Sequence, residues 1–277
     1  MRSNRRLTAA IAVVASLVVA APAGTAAAAK KKGKPAVITI SGATGSAPLV
    51  GQLAKKYSKG RNVKIKLAQG GGEVGIQDAA SGKVTIGNAA RDPRNSDPSS
   101  LKWYPIAKDS ICFAVNKANG VTNLSLSTAR DIWAGRIRNW SDVPGSKISG
   151  TIDIISRTGA SSQPPLVRSL LLGGGSISSL ASLKVSDGQV RQAILTNKNA
   201  IGHLSGVYTL DKKVTPLAHG GTACSPATVK SGQYPGIRTY YEVTKGAPTG
   251  EAKKFIDWIQ RSKDAKKIIS RLAVPLK

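Results

Sequence analysis

Segments typical of β-strands alternate along this chain with segments typical of helices, and small polar turns separate them. The run Ala36 to Ile40 is rich in β-branched residues and ends at a Ser-Gly pair, which predicts a strand. Pro48 to Tyr57 has helical apolar spacing, and Val63 to Leu67 alternates in the manner of a second strand. Such an alternation predicts an α/β fold, in which helices pack on a sheet.

The same alternation continues to the C-terminus. Further strands are predicted at 84–87, 111–115, 151–155, 200–204 and 238–243, and helices at 76–81, 127–133, 166–172, 187–196, 251–262 and 264–272. The segment 219–236 is rich in turn residues and receives no assignment.

The first 29 residues have the three parts of a secretory signal peptide. Arginines stand at positions 2, 5 and 6, an apolar run extends from Leu7 to Ala21, and small residues follow up to Ala29. This apolar run is shorter than the roughly 20 residues that a membrane-spanning helix needs. The sequence predicts cleavage near Ala29 and a secreted, extracellular or periplasmic protein; an uncleaved anchor helix is the alternative. No cysteine lies near the predicted cleavage site, so no lipid anchor is expected there.

The chain is strongly basic, with 41 lysines and arginines against 14 acidic residues. Without the three leader arginines, 38 basic residues remain against 14 acidic ones, a net charge near +24. A field of this sign attracts anions and raises their encounter rate, so phosphate, nucleic acid and cell-wall polymers are all candidate partners. The alternative is that the lysines only keep an exported protein soluble.

Two cysteines, Cys112 and Cys224, permit one disulfide in an oxidising compartment, and two buried free thiols are the alternative. The two histidines, His203 and His219, do not stand at metal-ligand spacing from the cysteines, so neither a metal nor another cofactor is expected.

Three glycine-containing turns, two of which also contain hydroxyl residues, lie between a predicted strand and a predicted helix. They are 42–46 (G-A-T-G-S), 70–72 (G-G-G) and 157–162 (R-T-G-A-S-S). A helix N-terminus exposes unpaired backbone N–H groups and the positive end of its dipole. Glycine lets an oxyanion approach that backbone, hydroxyls add donors, and Arg157 adds a full charge. Each turn alone is also explained by helix capping, and Arg157 alone by a surface charge.

Seven segments in chain order resemble a known family. They are 42–49, 70–76, 84–93, 109–116, 126–143, 157–163 and 200–203. The most specific is Asp131 to Val143, D-I-W-A-G-R-I-R-N-W-S-D-V, beside the family pattern D-I-F-x-G-x-I-x-N-W-x-D-V. On these segments the chain resembles the phosphate-binding proteins that serve ABC importers.

The resemblance implies a two-lobe, periplasmic-binding-protein-like α/β fold of type II, with a two-stranded hinge and a ligand cleft between the lobes. Residues 36–108 and 238–277 would form the first lobe, and 109–237 the second. Trp133 and Trp140 are then expected to be packing residues. The implied ligand is phosphate or a related oxyanion, the implied partner is an importer permease, and the protein is expected to act as a monomer.

The resemblance also implies which residues contact the anion. They are Thr44, Gly45, Ser46, Gly72, Arg91, Asp92, Arg157, Ser161 and Ser162. Arg91 or Asp92 stands where some members place an aspartate that accepts the proton of hydrogen phosphate. Ala43 and Gly72 stand where the family has serine, so two hydroxyl donors are absent.

The sequence leaves two functions in competition. The first is a receptor that closes on phosphate. The second is a secreted basic protein on the same scaffold, which binds wall polymers, nucleic acid or a protein partner without a transport role. An enzyme is not expected, because no G-x-S-x-G motif is present and neither histidine has an evident catalytic partner.

Overall fold

The computed structural model describes residues 33–276; the predicted signal peptide lies outside them. The strands are β1 (Ala36–Gly42), β2 (Val63–Gln69), β3 (Ile86–Ala89), β4 (Leu101–Asn116), β5 (Asn123–Leu124), β6 (Asp153–Arg157), β7 (Ser182–Lys184), β8 (Ala200–Ser205), β9 (Val214–Pro216), β10 (Ala218–His219) and β11 (Ile237–Lys245). The α-helices are α1 (Ala47–Ser58), α2 (Gly72–Ser81), α3 (Leu126–Trp133), α4 (Gln163–Leu166), α5 (Asp187–Thr196), α6 (Pro226–Ser231), α7 (Gly250–Arg261) and α8 (Lys263–Leu272).

One long sheet runs through the molecule in the order β2-β1-β3-β11-β4-β8-β6-β7, with β9 paired to β4. β1 is parallel to β2 and β3, and β6 is parallel to β7 and β8. The two parallel groups are joined by β4 and β11, which are antiparallel to each other. The first part of β4 pairs with β11 and its last part with β8 and β9, so this strand passes from one group to the other.

Each parallel group has its own hydrophobic core. The first packs α1, α7 and α8 on β1 and the beginning of β4, with Leu53 and Phe255 fully buried. The second packs α3 and its neighbours on the end of β4, with Trp133 and Trp140 at 0% exposure, which confirms that these tryptophans are packing residues. The fold is therefore α/β with two lobes. The lobe boundaries at residues 109 and 238 stay a prediction.

Most predicted elements are found, with shifted ends. The strand predicted at 84–87 is β3, two residues later, and the one at 151–155 is β6, also two residues later. The helix predicted at 166–172 is instead the short α4 followed by a π-helical turn, Val167–Leu171.

The first half of β4 was not predicted from the sequence. Pro105 interrupts this stretch, and proline has no N–H for a sheet ladder. A register shift between Tyr240 and Tyr241 of β11 accommodates the irregularity, as a bulge does.

Cys112 of β4 and Cys224 form a disulfide. It ties the end of the connecting strand to the segment before α6, and both cysteines lie in the second core. The prediction of one disulfide is confirmed, and the alternative of two free thiols is wrong. No helix among residues 33–276 is long and apolar enough to span a membrane.

Candidate functional site

The three glycine- and hydroxyl-rich turns lie at carboxyl ends of parallel strands. β1 and β2 end at Gly42 and Gln69, side by side, so their turns leave the same edge of the sheet. In the second lobe, β6 ends at Arg157 beside β7, and its turn leads to α4. Ligands of open α/β sheets bind outside the carboxyl ends of the strands, which makes this edge the candidate site.

Contacts between backbones hold the turns together across the cleft. The N–H of Glu73 in the first lobe donates to the carbonyl of Ala160 in the second, at 3.1 Å. Gly71 has φ +102°, and a Cβ there would lie 2.3 Å from the carbonyl oxygen of Ala160. Only glycine fits this position, because both the backbone conformation and the close approach exclude a side chain.

Gly72 marks the point where the turns meet. A Cβ added to it would lie 3.1 Å from the Ser162 hydroxyl, 3.7 Å from the backbone nitrogen of Ala90 and 3.8 Å from the Ala43 Cβ. The turn after β3 thus joins the three predicted turns at one place. Ala43 and Gly72, the two positions that differ from the family pattern, face the same small volume.

Three helices begin at this point without a side-chain cap. The N-cap residues of α1, α2 and α4 are Ser46, Gly71 and Ser162, and none of their side chains caps its helix. By contrast, Ser125, Ser186, Ser225 and Ser262 cap α3, α5, α6 and α8. The Ser46 hydroxyl instead donates to the Asn88 side chain. The first N–H groups of a helix have no partner within the helix, so three helix starts bring such donors to the cleft. The backbone N–H of Glu73 in α2 already donates to the Ala160 carbonyl, and that of Gln163 in α4 donates to the Ser161 hydroxyl.

A buried carboxylate, Asp187, sits beside this point and joins the lobes. It opens α5, is fully buried, and its Oδ2 accepts from the hydroxyl of Thr44 in the first lobe at 2.8 Å. The same oxygen pairs with the Arg157 guanidinium. Its Oδ1 accepts from the Gln163 side chain at 2.7 Å and from the backbone N–H of Ser205 at 2.8 Å. The carboxylate therefore receives four donors, one of them from across the cleft.

The charges in this cluster are set by burial and pairing. Burial alone would raise the pKa of Asp187, but the positive charges of Arg157 and Arg238 hold it below the usual value. Burial lowers the pKa of the Arg157 guanidinium, against the opposing effect of Asp187. Arg157 also donates to the carbonyls of Lys184 and Val185, so its side chain is fixed by β7 and the residue after it.

A hydrogen-bonded chain of neutral groups supports Asp187 from behind. Burial lowers the pKa of His203 to about 3, so its imidazole is neutral at pH 7. The amide nitrogen of Gln163 donates to Asp187, which leaves its Oε1 to accept from His203 Nδ1 at 2.9 Å. His203 Nε2 then accepts from the Ser156 hydroxyl at 3.0 Å. These bonds fix the histidine tautomer.

A second buried ion pair lies behind Gly45. Arg238 pairs with Asp109 at 2.9 Å, and Asp109 also accepts from the Tyr240 hydroxyl at 2.6 Å. A Cβ on Gly45 would lie 2.7 Å from the Arg238 guanidinium, so the first turn packs directly on this pair. Arg238 belongs to β11 and Asp109 to β4, so the pair joins the two strands that connect the lobes.

The predicted site residues divide into two groups. Thr44, Gly45, Ser46, Gly72, Arg157, Ser161 and Ser162 are buried at the meeting point of the turns or beside it. Arg91 is also buried, but its guanidinium is engaged by the carboxylates of Glu73 and Asp97. Asp92 is exposed and accepts from the Tyr241 hydroxyl at 2.7 Å. Within residues 33–276 no cluster of His, Cys, Asp and Glu could hold a metal ion.

Sequence reasoning overlooked Asp187, Gln163 and Tyr208. The Tyr208 hydroxyl donates to the carbonyl of Thr44 at 2.9 Å, a second bond across the cleft. The sequence does indicate that Asp187 lies in the first turn of a helix, because Ser186 before it is a typical N-cap residue. Nothing in the sequence indicates that this carboxylate turns inward.

A family model described as a PBP superfamily domain matches residues 21–263. The chain belongs to the PBP superfamily. Among curated relatives, the phosphate-binding protein PstS of Bacillus subtilis (strain 168) is 29% identical to this PBP-superfamily chain over 283 residues, covering 97% of this chain and 92% of that protein.

Solved structures show the same fold. A putative phosphate ABC transporter substrate-binding protein with bound phosphate from Clostridium perfringens has a TM-score of 0.81 at 27% identity, covering 87% of this chain and 100% of that one. An ABC-type phosphate transport receptor from Vibrio cholerae has a TM-score of 0.68 at 25% identity, and the match covers 87% of this chain and 100% of the receptor chain.

Proposed function

We propose that this protein captures phosphate, or a related oxyanion, between its two lobes and delivers it to an ABC importer. The observation that carries the proposal is the convergence of three helix N-termini without side-chain caps on one buried point beside Arg157. Backbone N–H groups and helix dipoles at such a point favour an anion, and burial strengthens each bond. The function is one of binding, without chemical turnover.

The anion would be held mainly by backbone N–H groups and by the third turn. Ser161 and Ser162 are buried and belong to the turn that follows Arg157, so their hydroxyls can donate inward. Gly45, Ser46 and Gly72 would contribute N–H groups at the starts of α1 and α2. Arg91 and Asp92 would act at the edge of the site, because both already have partners in this structure.

Delivery to an importer rests on the relatives. The Vibrio cholerae structure is an ABC-type phosphate transport receptor, and the Bacillus subtilis relative is a phosphate-binding protein. The proposed leader at residues 1–29 would place this chain on the side of the membrane where such a receptor works. Binding would shift the lobes towards the closed form, in which Thr44 contacts Asp187.

The test is calorimetric titration of the purified protein with phosphate and then sulfate, each at two salt concentrations. We expect one phosphate per chain, with little dependence on salt because the site is buried. Arg157→Ala should weaken phosphate binding by about a hundredfold, since it removes the positive charge beside the meeting point of the turns and leaves the buried Asp187 carboxylate unpaired there. Arg168→Ala, an arginine on the exposed surface of the same lobe, is the matched control and should bind as the parent does.

The competing function is a basic protein on this scaffold that binds anionic polymers and no small anion. It predicts no heat with phosphate or sulfate, and that result in a folded sample would refute the receptor proposal. Equal loss of binding in the Arg157 and Arg168 variants would also count against it, because it would assign the binding to general surface charge.

A further inference from the structure

Three of the 14 acidic residues of this protein are buried in the fold. All 14 lie within the described residues, and Asp109, Asp187 and Glu242 are buried. Glu73 and Asp97 are held by the buried Arg91. The buried Asp109 and Asp187 are paired with the buried Arg238 and Arg157, so the large positive excess of the chain remains at the surface, where its distribution becomes informative.

One surface concentrates this positive charge. Helices α1, α7 and α8 cover the same side of the first lobe, where they share one core. We call their solvent side the three-helix face; its exposed cations are Lys55, Lys56, Lys59, Lys253, Lys254, Arg261, Lys263, Lys266, Lys267 and Arg271.

The acidic residues of this face are already neutralised. Asp264 pairs with Lys56 at 2.9 Å. Asp257 pairs with Lys253, and Glu251 pairs with Lys254, each within its own helix. These carboxylates leave most of the cations of the face without a counter-charge of the protein's own.

α8 carries the densest row of uncompensated charge. Lys263, Lys266, Lys267 and Arg271 are all exposed, and none forms a salt bridge among the described residues. Their spacing of three, four and eight residues puts them on one side of the helix. At 1.5 Å of rise per residue, the row extends roughly 12 Å along the axis. The buried Ala265, Ile268 and Ile269 fix the opposite side against the core.

The chemistry of the face selects among anionic partners. The large hydrophobic residues that are exposed in the described chain lie elsewhere, at Val37, Leu67, Leu126, Leu180, Leu183, Val185 and Leu210. The face thus offers no large apolar side chain to insert into a bilayer, which interfacial membrane binding uses. Its aromatic residues offer little ring surface on which nucleic acid bases would stack, because Tyr57 is buried and Trp258 is partly buried against the core. Charge alone is available, and it fits repeated phosphate groups.

We propose that the three-helix face, with the α8 row at its centre, binds linear inorganic polyphosphate. The inference does not depend on the cleft, because no residue of the α8 row lies at the meeting point of the turns. Binding by released counterions would weaken steeply with salt.

The experiment measures binding of the purified protein to immobilised inorganic polyphosphate at 50 and 200 mM salt. The test variant is Lys263→Gln/Lys266→Gln/Lys267→Gln/Arg271→Gln, which removes four charges while keeping good helix formers. The matched control is Lys117→Gln/Lys147→Gln/Lys198→Gln/Lys213→Gln, four exposed lysines of the second lobe. Both variants have the same net charge and keep the basic run 30–34. Circular dichroism and titration with phosphate check that each variant is folded and that the cleft is unchanged.

We expect the α8 variant to bind polyphosphate about tenfold more weakly at low salt and to show a flatter salt dependence. The control should change by less than about twofold, since its charges lie outside the face. Equal weakening in both variants would overturn the proposal, because net charge would then be the cause. It would also be overturned by an absence of salt-sensitive binding in the parent, or by tighter binding to phosphatidylglycerol vesicles at matched phosphate concentration.

Discussion

Replacing Asp187 by asparagine should destabilise the protein far more than one lost surface charge would. Four donors face the Asp187 carboxylate, two at each oxygen. An amide has only one oxygen, so its NH₂ group must face two donors whichever way it is turned. The substitution also leaves the Arg157 guanidinium buried without its counter-charge.

The size of the effect follows from this burial. Removing one partner of a buried ion pair costs about 3–5 kcal/mol, because the remaining charge has no compensation. For a chain of this length, each kcal/mol lowers Tm by about 2–4 °C. Asp187→Asn is therefore expected to lower Tm by about 6–20 °C. Asp211→Asn is the matched control, since Asp211 is exposed and pairs with Arg191 at the surface. Exposed pairs contribute about 0–1 kcal/mol, so its Tm should fall by no more than about 4 °C.

The assay is thermal unfolding of the parent and both variants at pH 7, without and with phosphate. Phosphate should raise Tm less in Asp187→Asn than in the parent, because losing the Thr44–Asp187 bond lowers the population of the closed form and so weakens apparent phosphate binding. Small-angle scattering of the phosphate-free samples gives a second readout. The Thr44–Asp187 bond spans the cleft, so the variant should be the more open of the two. If Asp187→Asn unfolds like Asp211→Asn and has the same radius of gyration as the parent, the role assigned to Asp187 is wrong.

Two further substitutions test other features of the structure. Gly72→Ser places a hydroxyl where the turns meet, at the cost of a small movement of Ser162. It should strengthen phosphate binding about tenfold, because hydrogen bonds to charged groups contribute about 1.5–3 kcal/mol. Unchanged or weaker binding by a folded variant, measured by titration, would contradict this. Burial raises the pKa of Glu242 to about 8 from 4.5, so its stabilising contribution is present below pH 4.5 and is lost as the pH rises through 8. Glu242→Gln should accordingly raise Tm by several degrees at pH 9 and leave it nearly unchanged at pH 5, and equal shifts at both pH values would show that the charge is not the cause.

Local sequence signals predicted the elements and the three turns because they depend on neighbours in the chain. The helix at Asp187–Thr196 was placed with its observed ends, since a serine precedes it and its apolar residues have helical spacing. The turn at 42–46 is predicted from its glycine and hydroxyl content and the turn at 70–72 from its three glycines. The resemblance supplied the two-lobe arrangement, which no local signal contains.

Contacts between distant residues could not be predicted in this way. The bond between Thr44 and Asp187 joins residues 143 positions apart. The bond exists because the two lobes contact each other. The sequence around Asp187 itself looks like an ordinary first helical turn with an acidic residue. The partners of Arg91 could not be predicted from the sequence either. Its position matched the family pattern, but only the fold reveals that Glu73 and Asp97 surround its guanidinium.

The hydrogen bonds across the cleft help to explain how a site with fewer hydroxyl donors can still bind an anion. Thr44–Asp187, Tyr208–Thr44 and Glu73–Ala160 are hydrogen bonds within the protein, and all three join the two lobes. A ligand that binds the closed form loses affinity in proportion to how rarely that form is populated. Bonds that favour closure raise that population and so strengthen apparent binding without touching the anion. Neutral hydrogen bonds contribute about 1 kcal/mol and those to charged groups about 1.5–3 kcal/mol, so the three bonds between the lobes together are of the same order as the hydroxyl donors missing at Ala43 and Gly72. On this reasoning, the affinity of this cleft depends as much on Asp187 and Tyr208 as on the residues that contact the ligand.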